Sequence, residues 1–238
     1  MSSQKKKVGQ NISANNANWT FQGIEKNFQK HISTSVPMYS ESHKIALNIA
    51  DFFLKENSNV LDIGCSTGYF LDELYKKNKK KKVNYHGIDN TKSMISFCKK
   101  KRSKKIKFHN NDYLKFKNKK KHDLITSFYT LSFIPTSQRQ AFLNKIYKEL
   151  NWGGAFILFE KIRGPDARFQ DLFSLIYQDF KLNKGLSEQE IVNKSRSLKG
   201  IMEPFSNKGN LNLMKRSGFK DVTGIFQWIC FKGYLLIK

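Results

Sequence analysis

The chain has 238 residues, enough for one full-sized domain or two small ones, and its 39% hydrophobic content with 20 phenylalanines can fill a core, which excludes global disorder. No apolar run approaches the roughly 20 residues of a membrane span, and the polar start Met1–Lys7 has no apolar stretch behind it, so a soluble cytoplasmic protein without a secretory signal is expected. The net charge of +24 invites a polyanionic partner, yet only six of the 43 cations are arginine, the residue that supplies bidentate forks, and compositional bias accounts equally well for a lysine excess.

Residues 1–18 are polar and aperiodic and read as a flexible arm, with one domain expected over 19–238. Trp19, Phe21, Ile24, Phe28 and Ile32 are spaced as on a helix that ends before Pro37, and Ser42–Leu54 reads as an amphipathic helix. Five strand-length apolar runs follow, at Asn59–Ile63, Val83–Ile88, Ile106–His109, Asp123–Phe128 and Ala155–Phe159. Helical patterns at Tyr69–Lys77, Lys92–Lys100 and Gln138–Leu150 lie between them. Parallel neighbours need such crossovers, so the alternation specifies an α/β fold with a parallel sheet. Asp166–Ser217 reads as three helices, Phe169–Phe180, Ser187–Leu198 and Lys208–Ser217, whose Phe and Leu stripes suit either their own domain or a homodimer interface. Phe219–Trp228 and Phe231–Ile237 are too close for a crossover and close the sheet as an antiparallel pair, making seven strands.

The lysine runs Lys76–Lys82, Lys99–Lys107 and Lys115–Lys121 are each expected between a crossover helix and the following strand, and so at the amino edge of the sheet, opposite the edge where ligands bind. A solvated face is the favoured reading, and nucleic-acid binding there is the other. Cys65, Cys98 and Cys230 show neither a disulfide framework nor zinc spacing, and the five histidines have no metal pattern, so no metal is expected.

The strongest local signal is Val60-Leu61-Asp62-Ile63-Gly64-Cys65-Ser66-Thr67-Gly68, a buried strand that runs through a small-residue turn into a helix. Gly64 and Gly68 let backbone approach a ligand, and the helix start offers free N–H groups. Asp89, twenty-one residues after Gly68 at the end of the second strand, is placed to accept both hydroxyls of a ribose. The turn is not Gly-x-Gly-x-x-Gly, Asp62 precedes it, and Asn111-Asp112-Tyr113 ends the third strand where an adenine edge can be read, so S-adenosylmethionine is favoured over a dinucleotide.

Asp62–Gly68, Asp89–Asn90 and Leu150–Ala155 resemble class I S-adenosylmethionine-dependent methyltransferases, which have a Rossmann-like fold. Asn18–Phe21, Ser35–Ser40, Thr130–Phe133, Gln138–Gln140, Phe159–Lys161, Gln178–Lys181 and Phe226-Gln227 narrow the resemblance to the carboxy-S-adenosylmethionine synthase family of bacterial tRNA wobble-uridine modification. That resemblance implies conversion of S-adenosylmethionine and prephenate to carboxy-S-adenosylmethionine. The sulfonium methyl is deprotonated to an ylide, which captures the carbon dioxide that prephenate loses; the proton leaves with prephenate's ring hydroxide as water, and phenylpyruvate remains.

The family's cofactor contacts map onto Tyr39, Gly64, Cys65, Ser66, Asp89, Asn90, Asp112 and Tyr113, with Asp62, Gly68 and Phe128 beside them. Tyr39, as a lid, and Arg196, as the clamp on the added carboxylate, are the expected catalytic residues. Two positions depart from the family. Phe128 replaces an asparagine, and the arginine expected directly after Lys194 comes one residue later, as Arg196, a rotation of roughly 100° on a helix. The alternatives are a methyltransferase acting on a small-molecule or nucleic-acid acceptor, and a non-catalytic nucleic-acid-binding relative.

Overall fold

The computed structural model describes residues 5–118 and 120–238. A two-stranded hairpin, β1 (Lys6–Lys7) and β2 (Ser13–Ala14), is followed by helices α1 (Phe28–Ser35) and α2 (Tyr39–Ala50). The alternating part comprises β3 (Asn59–Ile63), α3 (Tyr69–Lys77), β4 (Asn84–Asp89), α4 (Lys92–Lys101), β5 (Ile106–Asn110), β6 (His122–Phe128), α5 (Arg139–Glu149) and β7 (Leu150–Lys161). Helices α6 (Ala167–Asn183), α7 (Glu188–Ser197) and α8 (Asn207–Arg216) precede β8 (Asp221–Trp228) and β9 (Phe231–Ile237).

The seven-stranded sheet has the order β5-β4-β3-β6-β7-β9-β8. Its first five strands are mutually parallel, β9 is antiparallel to β7, and β8 is antiparallel to β9. The expected α/β methyltransferase-type sheet with its terminal hairpin is therefore present. The chain builds outward from β3 to β5 and then returns to β3's other side with β6, so the carboxyl ends of β3, β4 and β6 flank a crevice suited to a ligand.

Alternation with period two explains the layers. Val60, Leu124, Ala155, Ile157 and Phe159 face the helix layer built from α2, α3 and α4. Leu61, Ile63, Ile125, Phe156 and Leu158 face the layer that contains α5 and α8. Asp62 and Thr126 interrupt the first face, and the Thr126 hydroxyl donates to Asp62 Oδ1 at 2.7 Å.

The structure differs from the sequence expectation in three places. Residues 5–18 are not a free arm: Val8, Ile12 and Ala14 are buried against Trp19, and Asn193 Nδ2 donates to the Lys7 carbonyl at 3.0 Å. Local polarity concealed this, because apolar side chains two to four residues apart meet a partner only in tertiary packing. Residues 1–4, also assigned to the arm, lie outside the described residues. The helix expected from Trp19 forms only at Phe28–Ser35, since Trp19–Asn27 is spent in turns and extended chain that pack Trp19 and Phe21 on one another and Phe21 on Phe133. Finally, Lys115–Lys121 follows strand β5 rather than a crossover helix, and its Lys119 lies outside the described residues.

Candidate active site

Above the carboxyl ends of β3, β4, β5 and β6 lies a cavity of about 880 Å³, within the span of about 300–1,000 Å³ that small-molecule sites occupy. Its floor is the β3–α3 loop. Gly64 takes a φ of +73°, and Gly64 and Cys65 both donate backbone N–H groups to the Ile88 carbonyl, at 2.8 and 3.0 Å. The loop is thereby welded to β4. Ser66, though not glycine, has a φ of +49°, a left-handed conformation held by its N–H donating to Asp89 Oδ2 at 2.9 Å.

Asp89 Oδ1 accepts the Thr91 N–H at 2.8 Å, so one carboxylate organises both the glycine loop and the start of α4 while each oxygen keeps a lone pair. Burial pushes its carboxyl above the usual range despite those two donors. Asp62 is pushed up to about 7, first by burial and further by the charge of Asp89, against the opposing Thr126 hydrogen bond. No cation offsets this pair of carboxylates: none of the ion pairs among the described residues includes Asp62 or Asp89. The floor is thus built for a ligand that is positively charged and carries hydroxyls.

Asn90, Asp112 and Tyr113 border the same cavity at the ends of β4 and β5. Asp112 Oδ1 accepts the Leu114 N–H at 2.8 Å, and the Tyr113 hydroxyl is turned to Glu149 Oε2 at 2.9 Å, so that hydroxyl is already engaged. Phe128 lines the cavity from β6, stacked on Phe159 and edge-on to His43. Gly68 alone among the expected floor residues does not line it. An added Cβ there would meet Phe108 at 2.8 Å, so this glycine serves the close approach of α3 to β5.

The roof comes from elements distant in sequence. Tyr39 opens α2 after Met38, whose φ of +51° turns the chain, and its ring lies 4.4 Å from His43 and 6.2 Å from Tyr129. Tyr129 is itself left-handed at φ +55°, and its half-buried ring lies beside Tyr39. Helix α7 begins with a capping box in which Ser187 and Glu190 satisfy each other's backbone N–H groups, and this fixes the register of Lys194 and Arg196. Lys194 turns inward onto the Trp19 ring, and its Nζ lies 3.2 Å from His31 Nε2. Arg196 also borders the cavity, but from an exposed rim.

Sequence reasoning passed over His31, His43, Trp19 and Lys181 as site residues, although all four line the cavity. Burial pushes both histidines down to about 3, so they are neutral imidazoles at working pH. Among the described residues, neither ring nitrogen of His43 has a partner, nor does Trp19 Nε1 or His31 Nδ1. Buried orphan groups of this kind mark where a ligand's polar atoms can go. Among the described residues no cluster of three or more His, Cys, Asp or Glu is placed to hold a metal, and no helix is long and apolar enough to cross a membrane.

A methyltransferase domain family matches residues 54–217. The solved plantazolicin methyltransferase complex with a substrate analogue and S-adenosylhomocysteine superposes with a TM-score of 0.66 at 14% identity, covering 89% of each chain, which shows the fold. The carboxy-S-adenosyl-L-methionine synthase of Staphylococcus epidermidis is 38% identical over 92% of this chain and 97% of its own length. That of Campylobacter lari is 32% identical over 89% and 90%. Identity of this extent along nearly all of both chains, on the methyltransferase fold, makes the chain a member of the carboxy-S-adenosyl-L-methionine synthase family of S-adenosylmethionine-dependent transferases.

Proposed function

We propose that the protein converts S-adenosylmethionine and prephenate to carboxy-S-adenosylmethionine, with residues 19–238 acting as one unit. The observation that carries this reading is the opposed charge of the cavity. Unpaired carboxylates, Asp62 and Asp89, line its floor, and cations, Lys161, Lys181, Lys194 and Arg196, line its roof. A sulfonium nucleoside and a dicarboxylate are the two charge types that such a chamber holds side by side.

Asp89 would take the ribose hydroxyls, Asp62 would neutralise the ligand's positive end, and Asp112 with the Tyr113 backbone would meet the adenine. Gly64, Cys65 and Ser66 form the bed that lets the nucleoside approach β3, and Tyr39 closes over it. When bound, S-adenosylmethionine supplies a methyl carbon activated by the sulfonium. The chain's part is to orient that carbon towards the anionic partner and exclude water beneath Tyr39, Phe128 and Tyr129. Mass spectrometry of the small molecule formed from S-adenosylmethionine and prephenate tests the reading. A product heavier by one carbon dioxide, with release of phenylpyruvate, is expected, and unchanged S-adenosylmethionine overturns it.

A second reading, a methyltransferase acting on a small molecule, is favoured by two particulars: Arg196 stands on the exposed rim and Phe128 replaces the family's amide. It predicts S-adenosylhomocysteine as the product. The proposal extends to a role in tRNA wobble-uridine modification, a reducing cytoplasm, supported by three free buried cysteines, and a homodimer, supported by exposed Phe169, Leu172 and Leu175 on α6.

The floor carboxylates also set a pH signature. The folded-state pKa of Asp62 is raised to about 7 from 3.8, so the folded protein holds a proton there that the unfolded chain has lost. Stability from this group is therefore greatest below about 4 and declines as pH rises to about 7. A cationic ligand favours the carboxylate. Calorimetry of S-adenosylmethionine binding at pH 6 in buffers of different ionisation enthalpy should show a proton released, and none released at pH 9.

A further inference from the structure

The roof holds ammonium groups that no ion pair among the described residues neutralises. Lys161 ends β7, Lys181 lies on α6 and Lys194 on α7, and all three border the cavity. The Nζ atoms of Lys161 and Lys181 each sit 4.3 Å from the centre of the same Tyr177 ring. Tyr177 is pinned by its hydroxyl donating to the Ser35 carbonyl at 2.6 Å, so the ring is a fixed seat for both. Lys194 occupies a second locus, on Trp19 and beside His31.

Among the described residues none of the three lysines takes part in an ion pair. The neighbouring carboxylate, Glu160, is committed elsewhere: it accepts from the Ser132 N–H and hydroxyl and from the Lys161 N–H. Burial lowers all three ammonium groups from the ordinary lysine range, Lys181 to about 8 with Lys161 adding to the effect, and the charge of Lys181 depresses Lys194 further. Like charges kept out of water and left unpaired are costly, and an anion between them removes that cost.

The second locus offers more than charge. With the Lys194 ammonium donating to His31 Nε2, the neutral imidazole carries its proton on Nδ1, which is buried without a partner among the described residues, as is the Trp19 indole N–H. A carboxylate there meets one ammonium and can reach two neutral donors. The first locus presents two ammonium groups over one aromatic face. Two sets of cationic groups, one on Tyr177 and one on Trp19, in one chamber with the exposed Arg196 on the rim, fit a small acid with two carboxylates.

We propose that Lys161 and Lys181 hold one carboxylate of the co-substrate and Lys194, with His31 and Trp19, holds the other, so that Lys194 rather than Arg196 is the inner clamp of this chain. This rests on the synthase reading above and names the residues that select its acid. The test is calorimetry on the full chain, titrating prephenate into protein saturated with S-adenosylhomocysteine, which lacks the methyl that would react. Lys194→Met and the double change Lys161→Met with Lys181→Met should each weaken prephenate at least tenfold, while S-adenosylmethionine affinity stays within about twofold. Wild-type protein should bind phenylpyruvate, with one carboxylate, at least tenfold more weakly than prephenate, a comparison that needs no variant to fold. Unchanged prephenate affinity in both variants, or equal binding of the two acids by wild type, overturns the lysine assignment. Absence of S-adenosylmethionine binding by wild type would instead overturn the synthase reading itself.

Discussion

Asp89→Ala should lower S-adenosylmethionine affinity by one to two orders of magnitude, the largest loss expected from a single floor residue. A charge-assisted hydrogen bond contributes about 1.5–3 kcal/mol, and the carboxylate has a free lone pair on each oxygen for the two ribose hydroxyls. The same side chain holds the Ser66 N–H at 2.9 Å and the Thr91 N–H at 2.8 Å, so its removal also releases the left-handed Ser66 and the start of α4. Asp89→Asn separates the two effects. It keeps one acceptor for the loop but loses the charge, and should fall between wild type and alanine. Isothermal calorimetry reads all three proteins, and an alanine variant within threefold of wild type would show that the nucleoside sits elsewhere.

Gly64→Ala should destabilise the fold itself. The position has a φ of +73°, and an added Cβ collides with Thr130 Oγ1 and lies 2.8 Å from its Cγ2. The left-handed backbone costs about 1–2 kcal/mol for a residue with a Cβ, and overpacking a rigid site costs about 1–3 kcal/mol more. A loss of roughly 2–5 kcal/mol is therefore expected from the denaturant midpoint. Adding Thr130→Ala removes the two nearest atoms and should recover the packing part only. Full recovery would mean that the backbone conformation carries no strain, contrary to the argument.

The site was legible in the sequence wherever it depends on local chain geometry. Asp62, Gly64, Cys65 and Ser66 follow one another along a strand and its turn, and Asp89, Asn90 and Asp112 sit at strand ends. Any parallel sheet of this order brings such ends together, so the pattern was enough to collect them. Gly68 shows the limit, because its spacing in the motif says ligand while its neighbours Phe108 and Cys98 say packing.

The roof was legible only in part. Tyr39 and Arg196 came through resemblance, whereas His31 and His43 carry no local signature, and Lys181 closes a family-like string that assigns it no role. A lysine among 43 Lys and Arg residues cannot be singled out by type, and its burial depends on helices folded across the sheet from more than a hundred residues away. The N-terminal segment illustrates the same point. Val8, Ile12 and Trp19 are sparse in a polar stretch, yet they pack on one another and on Met94.

The sequence alone therefore determined the alternating α/β sheet, the glycine loop, the acidic strand ends and the family, because periodicity, turn chemistry and motif spacing act within a few residues of one another. Tertiary structure alone decided that Lys194 points inward while Arg196 stays on the rim, and that Lys161 and Lys181 share one tyrosine ring. It also decided that residues 5–18 are packed down. Those outcomes depend on which side chains lose water together when distant segments meet, a quantity that no local stretch of chain encodes.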